Sequence, residues 1–80
     1  MKLSKVYFEI DNLIDKIADL KEELEEKRDA IEEKAWEKDR DMTDKEQERY
    51  DELDEQVNNL QECMDYLENA RDYVEEYSEL

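Results

Sequence analysis

The chain contains neither glycine nor proline in its 80 residues. These two residues supply most tight turns, since glycine tolerates positive φ and proline presets the backbone for a turn. Their absence leaves little turn chemistry and favours long helices. Half of the residues are charged, but the apolar ones recur at regular helical spacing. This periodicity predicts a folded all-α protein rather than a disordered one.

A heptad stripe of apolar residues runs through the first half of the chain. One position of the heptad is occupied by Leu3, Ile10, Ile17, Leu24 and Ile31. The other position is occupied by Val6, Leu13 and Leu20. Continued beyond residue 37, the same register meets only charged residues, from Lys38 to Glu55. A continuous coiled coil through the whole chain is therefore excluded.

A second apolar stripe begins at Tyr50 with a shifted phase, so the chain must turn before it. The stripe consists of Tyr50, Leu53, Val57, Leu60, Met64, Leu67 and Val74, widened by Cys63, Ala70 and Tyr77. Upstream of it, Thr43 and Glu46 have the spacing of a capping box, which starts a helix. Because no glycine is available to end the first helix, Asp39 or Asp41 must take the left-handed conformation, or that helix must fray.

These signals predict an antiparallel two-helix hairpin of the coiled-coil type, forming a single domain over residues 1–80. The helices are expected at about 4–40 and about 44–79, with the turn at about 40–43, and each is roughly 55 Å long at the rise of an α-helix. The alternative is one nearly straight helix whose two stripes serve different partners.

Apolar residues are concentrated at the open end of this hairpin, where two helices alone cannot cover them. Pairing of two chains into a dimeric four-helix bundle would bury this surface. The expected dimer seam consists of Tyr7, Phe8, Ile14, Leu60, Met64, Leu67 and Tyr77. A different protein in the same groove is the alternative, and the pattern leaves open whether the dimer is parallel or antiparallel.

The chain lacks residues on which most enzymes and metal sites depend. Histidine is absent, which removes the commonest general base and metal ligand, and the lack of glycine excludes phosphate-binding loops. We therefore expect no enzyme, no catalytic residue, no cofactor and no metal. Cys63 is interpreted as a small buried or half-buried thiol beside the core. A single cysteine, no signal peptide and no membrane-spanning run together predict a cytoplasmic protein.

Negative charge is distributed unequally between the two halves. Residues 1–40 hold 13 acids and 9 bases, a net of −4, whereas residues 41–80 hold 15 acids and 3 bases, a net of −12. A row of acids lies opposite the apolar stripe of the second helix and is termed the acidic strip. It consists of Glu48, Asp51, Glu55, Glu62, Asp65, Asp72, Glu76 and Glu79. Helical rise places these carboxylates roughly 6 Å apart over about 47 Å.

Such a strip favours a basic protein partner and disfavours direct binding to nucleic acid or a membrane. The first functional hypothesis is an inhibitor or regulator that blocks a basic nucleic-acid-binding groove by mimicking nucleic acid. Small acidic proteins that phages and mobile elements use against restriction or CRISPR enzymes are similar in size and composition. The alternative is a dimeric structural adaptor whose acidic face only confers solubility.

Three aromatic residues are candidate partner contacts. Tyr66 and Tyr73 share a heptad position beside the strip, and either cover a flank of the hairpin or contact a partner. Trp36 lies near the turn, where it is expected either to close the hairpin by packing on Ile31 and Tyr50 or to anchor a partner.

A tryptophan near the turn of a helical hairpin resembles the small type VII secretion proteins, whose turn carries Trp-x-Gly. In this chain the stretch is Trp36–Glu37–Lys38, so the glycine of that signature is missing. Tyr50 and Asp54 match the Tyr-x-x-x-Asp spacing of the family, but they lie early in the second helix instead of beyond its end. Secretion as a helical hairpin is what this resemblance implies.

Overall fold

The computed structural model describes residues 3–78, and its two α-helices pack against each other as a hairpin. Helix α1 spans Leu3–Glu37 and helix α2 spans Asp44–Ser78. The hairpin is 60 Å long and 15 by 14 Å in cross-section. The predicted all-α hairpin is therefore confirmed, although α1 ends at Glu37 rather than near residue 40.

Helix α1 ends in a Schellman motif built on an aspartate. Asp39 has a φ of 50°. Its amide donates to the carbonyl of Trp36 at 3.0 Å, and the amide of Arg40 donates to the carbonyl of Ala35 at 3.2 Å. This pair of hydrogen bonds satisfies carbonyls that the last turn of a helix would leave free. Of the two predicted candidates, Asp39 takes the left-handed conformation.

Helix α2 begins with the predicted capping box. The Thr43 hydroxyl accepts a hydrogen bond from the Glu46 amide at 3.2 Å, and the Glu46 carboxylate accepts one from the Thr43 amide at 2.9 Å. Arg40 donates to the same carboxylate at 2.7 and 3.3 Å. The hydrogen bond from Arg40, followed by that from the Thr43 amide, lowers the pKa of Glu46 to about 2. Arg40 thereby links the end of α1 to the start of α2.

Replacing Asp39 with glycine is expected to raise the free energy of unfolding by about 1 kcal/mol, because glycine takes the left-handed conformation without the steric cost of a Cβ atom. Urea unfolding followed by circular dichroism measures the change. The control is Asp41→Gly, in the same turn but at a residue without positive φ. It should give no gain, since glycine there only adds freedom to the unfolded chain. An equal gain from both variants would contradict this capping role.

The core between the helices is narrow. Only Ile14, Ala35, Leu53 and Val57 are buried among residues 3–78, and the rest of the seam is half-buried. On α2 the central stripe of buried or half-buried residues consists of Tyr50, Leu53, Val57, Leu60, Met64, Leu67, Arg71 and Val74, and Glu46, Asp54, Gln61 and Glu68 are half-buried beside it. On α1 the central residues form two rows, Leu3–Ile10–Ile17–Leu24–Ile31 and Tyr7–Ile14–Lys21–Arg28–Ala35, and Val6, Asp11, Ala18 and Glu25 are half-buried beside them. The central residues of the predicted α2 stripe and the Leu3 row of α1 are confirmed. Cys63, Ala70 and Tyr77, which were expected to widen the stripe, are exposed, so the expectation of a buried or half-buried thiol at Cys63 was wrong.

The prediction that the second apolar row of α1 faces α2 was wrong. Leu13 and Leu20 remain 48% and 47% exposed, because α1 turns the row of Ile14 and Arg28 toward α2 instead. Arg28 donates to Asp54 at 2.9 Å and its guanidinium lies 6.0 Å from the centre of the Tyr50 ring. These contacts let a charged residue occupy a seam position, with its aliphatic stem against the partner helix.

Two ion pairs between the helices fix their register. Arg28 pairs with Asp54 at 2.9 Å, and Arg71 pairs with Asp11 at 2.8 Å. In both pairs the residue numbers add to 82, as they must when two antiparallel helices run past each other without a slip. The hydrogen bond that Arg71 donates to Asp11 is the largest cause of the raised pKa of Arg71. A shift of either helix by one turn would break both pairs.

Candidate functional site

The acidic strip lies on the outer side of α2. Its seven members from Glu48 to Glu76 are exposed, whereas Glu79 lies outside the described residues. The strip is opposite Leu53 and Val57, which are 1% and 5% exposed in the seam. Because the seam fixes the rotation of α2, it also fixes the direction in which the strip faces.

No acid of the strip from Glu48 to Glu76 forms a salt bridge, although, besides the hydrogen bond to Asp11, the nearby charge of Asp72 helps to raise the pKa of the Arg71 guanidinium. Asp51 accepts a hydrogen bond from the Gln47 side chain at 2.9 Å, and Asp65 accepts one from Gln61 at 3.0 Å. These amide donors restrain the carboxylates and contribute no charge. Within residues 3–78, the salt bridges that involve acids of α2 are made by Glu46, Glu52 and Asp54, none of which belongs to the strip.

Helix α1 differs from α2 because its acids are mixed with bases. Lys21 lies 3.6 Å from Glu25, and Arg28 lies 3.0 Å from Asp29. Glu22 and Glu26, on the outer side of α1, are exposed, but cations of the same helix are interspersed with them. The longest row of negative charge therefore lies on α2, although Asp19, Glu22, Glu23 and Glu26 line a shorter acidic cleft on α1.

The tyrosines beside the strip are open to solvent. Tyr66 is 74% and Tyr73 is 65% exposed. Tyr66 follows Glu62 by one helical turn, and Tyr73 precedes Glu76 by three residues, so their rings border the strip. This is the arrangement in which an aromatic ring can add apolar contact to a charged interface.

Trp36 does not close the hairpin. It is 85% exposed, so the expectation that it packs on Ile31 and Tyr50 was wrong. The reason is local: Ala35 takes the buried position in the last turn of α1, and the next residue along a helix points about 100° away. Trp36 instead borders a shallow cleft at the turn together with Asp39, Arg40 and Asp41.

The residues of the expected dimer seam do not lie on one surface. Ile14 is 7% exposed inside the hairpin, so its placement in a seam between chains is corrected: its side chain belongs to the core of a single chain. The half-buried members, which line the same interior, are Tyr7, Leu60, Met64 and Leu67. Phe8 and Tyr77 are 62% and 57% exposed, and the Phe8 ring meets the edge of the Tyr7 ring at 5.6 Å.

An apolar groove along one side of the hairpin was not predicted from the sequence. It is lined by Leu20, Leu24, Gln56, Asn59, Leu60 and Cys63. The Cys63 thiol is exposed. The leucines had been assigned to the interior because the rows of α1 on either side of the Leu3 row both carry apolar residues, and spacing alone does not tell which row faces α2.

No helix within residues 3–78 is long and apolar enough to cross a membrane. The same residues contain no group of three or more histidine, cysteine, aspartate or glutamate side chains arranged to hold a metal ion. Comparisons of the chain with protein-family models, with curated proteins and with solved structures find no match.

Proposed function

We propose that the protein is a non-enzymatic inhibitor or regulator that occupies the basic nucleic-acid-binding groove of a partner protein. The observation that carries the proposal is the acidic strip, whose seven described carboxylates are exposed and whose hydrogen bonds come from neutral amides. Proteins of phages and mobile elements that act against restriction or CRISPR enzymes are the class that this chemistry fits best.

The geometry of the strip supports mimicry of a nucleic-acid backbone. From Glu48 to Glu76 the helical rise gives a row of about 42 Å. The half-buried Glu68 adds to the negative charge of α2, whereas Glu52 pairs with Arg49 at 3.4 Å, so the row is sparser than the one phosphate per 3.4 Å of a single DNA strand. Because the strip lies on a packed helix, little conformational freedom is lost when it binds.

The partner is a protein with a groove lined by lysine and arginine, and both proteins are proposed to act in the cytoplasm, where the free thiol of Cys63 persists. Tyr66, Tyr73 and Trp36 are the proposed aromatic contacts at the edges of the interface, since tyrosine and tryptophan are enriched where binding energy is concentrated. Charge complementarity would set the association rate and the orientation of the complex.

A second candidate function is that of a dimeric structural adaptor whose acidic face only keeps it soluble. It is favoured by the exposure of Leu13 and Leu20, each close to one-half, which suits a helical partner better than water. Association of two chains into a four-helix bundle is compatible with both functions. The two differ in whether the charge of α2 takes part in binding.

Competition with DNA tests the proposed function. A panel of purified restriction endonucleases and CRISPR effectors is loaded with a fluorescent DNA duplex, and release is followed by polarisation. The protein should displace DNA from at least one of them. The affinity should fall about tenfold or more when salt is raised from about 0.05 to about 0.2 M, because the attraction between the charged surfaces is screened. Failure to displace DNA from any member at low salt would contradict the proposal.

A further inference from the structure

The two sides of the seam between the helices have opposite characters. On one side, termed the closed flank, every residue is half-buried and the ion pairs of Asp11 and Asp54 are made. The closed flank consists of Asp11, Ala18, Glu25, Asp54, Gln61 and Glu68. The other side, termed the open flank, consists of Val6, Leu13, Leu20, Gln56, Cys63, Ala70 and Tyr77. All of these are exposed except Val6, which is half-buried.

This arrangement is the reverse of what an isolated hairpin would favour. Removal of apolar surface from water stabilises a fold, whereas polar groups are well solvated outside it. Here Leu13 and Leu20 are 48% and 47% exposed, so they are no better covered than the side chains of Asp11 and Asp54 on the closed flank, at 40% and 45%. The rotation of the two helices therefore makes sense when the open flank is covered by another surface.

The open flank forms a continuous apolar band at the open end of the hairpin. Leu20 and Cys63 line one groove, and their numbers add to 83. The same antiparallel register sets Leu13 beside Ala70 and Val6 beside Tyr77. On α2 the band ends at Tyr66 and Tyr73, whose exposed rings separate it from the acidic strip.

We propose that a second copy of this chain covers the open flank, so that two hairpins form a four-helix bundle through it. This inference rests on the self-association raised for the proposed function, and it makes no use of the acidic strip. It places the interface between chains on Leu13, Leu20, Cys63 and Ala70, of which Leu13 and Leu20 lie outside the seam expected from the sequence.

The charge of the flank identifies the occupant. The flank and the rows that border it between residues 6–23 and 56–77 carry three charges, those of Glu9, Lys16 and Glu23, which sum to −1. The whole chain carries −16. A basic partner would gain little from this nearly neutral surface and would be drawn to the acidic strip. A second copy meets little repulsion there.

The same three residues are complementary to themselves. Lys16 lies between Glu9 and Glu23, one heptad from each. In an interface with two-fold symmetry, a contact from one chain to the other is matched by its reciprocal. Two antiparallel copies of α1 can therefore place each Lys16 opposite a glutamate of the other chain, and such pairs fix the register of an apolar interface.

The size of the surface sets how far the two hairpins must overlap. A specific interface buries about 800 Å² on each partner, which is roughly an eighth of the 6484 Å² surface of the chain. One side of the hairpin measures 60 by 15 Å, whereas residues 6–23 alone extend over about 26 Å of that length. The second hairpin must therefore cover the rows that border the flank as well as the flank itself.

Sedimentation equilibrium of the double variant Leu13→Glu, Leu20→Glu tests the interface. The unaltered protein should sediment at twice its 9.8 kDa mass at tens of micromolar in about 0.15 M salt, where charges beyond roughly 8 Å are screened. The double variant should sediment as a monomer, with its dissociation constant raised about a hundredfold or more. The matched control is Asn12→Glu, Asn58→Glu, which adds the same charge at exposed positions outside the flank and should remain a dimer.

The unaltered protein also provides a test that needs no interface variant. The exposed Cys63 thiol should react with a maleimide about tenfold more slowly at concentrations where the dimer forms, because the second copy shields it. The control is Cys63→Ser with Asn58→Cys, whose thiol on the outer side should react at one rate throughout. A monomer at high concentration, or a dimer that withstands both glutamates, would overturn the inference. A monomer would instead leave the flank to a different protein. Neither result touches the proposed binding by the acidic strip.

Discussion

Replacement of Ile14 with glutamate is expected to unfold the hairpin. Ile14 is 7% exposed in a core with only three other buried residues among residues 3–78. Loss of its side chain removes about 2–5 kcal/mol, and a buried carboxylate without a partner adds further cost. A chain of this length has about 4–12 kcal/mol of total stability. The change should therefore abolish most of the helical circular dichroism at 25 °C, a temperature at which the unaltered protein is folded.

Leu13→Glu is the matched control for this prediction. It places the same charge one residue away, on a side chain that is 48% exposed. The variant should keep its helical signal as a monomer, since no buried contact within the chain is lost. If Leu13→Glu unfolds the protein and Ile14→Glu does not, the helix α1 packs by its other row and the rotation described for it is wrong.

The contrast between Ile14 and Leu13 also shows which part of the helix packing could not be predicted from the sequence. Both residues belong to apolar rows of α1 that flank the Leu3 row. The row that faces α2 contains Lys21 and Arg28. Because these residues are charged, the row is not recognised by its apolar spacing. Their aliphatic stems nevertheless pack in the seam. Arg28 finds its partner Asp54 on the other helix, 26 residues away, and a local pattern does not predict such a pairing.

Features set by neighbouring residues were predictable. Thr43 and Glu46 form the expected capping box, since its geometry depends on four consecutive residues. Asp39 takes the left-handed conformation, because a chain without glycine offers few alternatives at the end of a helix. The exposure of Trp36 was harder to predict, because it depends on where α1 ends. The helix ends one residue after Trp36, with Ala35 turned inward.

The acidic strip was placed correctly on the exposed side of α2 because the core stripe of that helix was recognised. A row opposite Leu53 and Val57 has to face solvent once those residues are buried. The use of the strip does not follow from its position, since a solvated acidic face has the same geometry. A change of charge that preserves the fold is needed to distinguish a binding surface from a solvated acidic face.

Reversal of two charges in the acidic strip is expected to abolish inhibition of the partner. Glu62→Lys with Asp65→Lys changes the net charge by +4 in the middle of the row and sets two cations against a basic groove. Displacement of DNA by this variant should weaken about a hundredfold or more, in line with losses at close charge pairs in protein interfaces. Both residues are exposed and lie opposite the core, so helicity and dimerisation should be unchanged. Competition polarisation and sedimentation measure the two properties separately.

The same reversal on α1, Glu22→Lys with Glu26→Lys, is the control. Both glutamates are exposed and the total charge changes by the same amount, but α1 already mixes signs, as the pair of Lys21 and Glu25 illustrates. Displacement of DNA should then weaken only a few-fold, through the lower overall charge. Equal losses from both pairs would mean that net charge alone attracts the partner. No loss from either pair would show that the strip is a solvated face, and the adaptor function would then remain, because its apolar flank is untouched by these four changes.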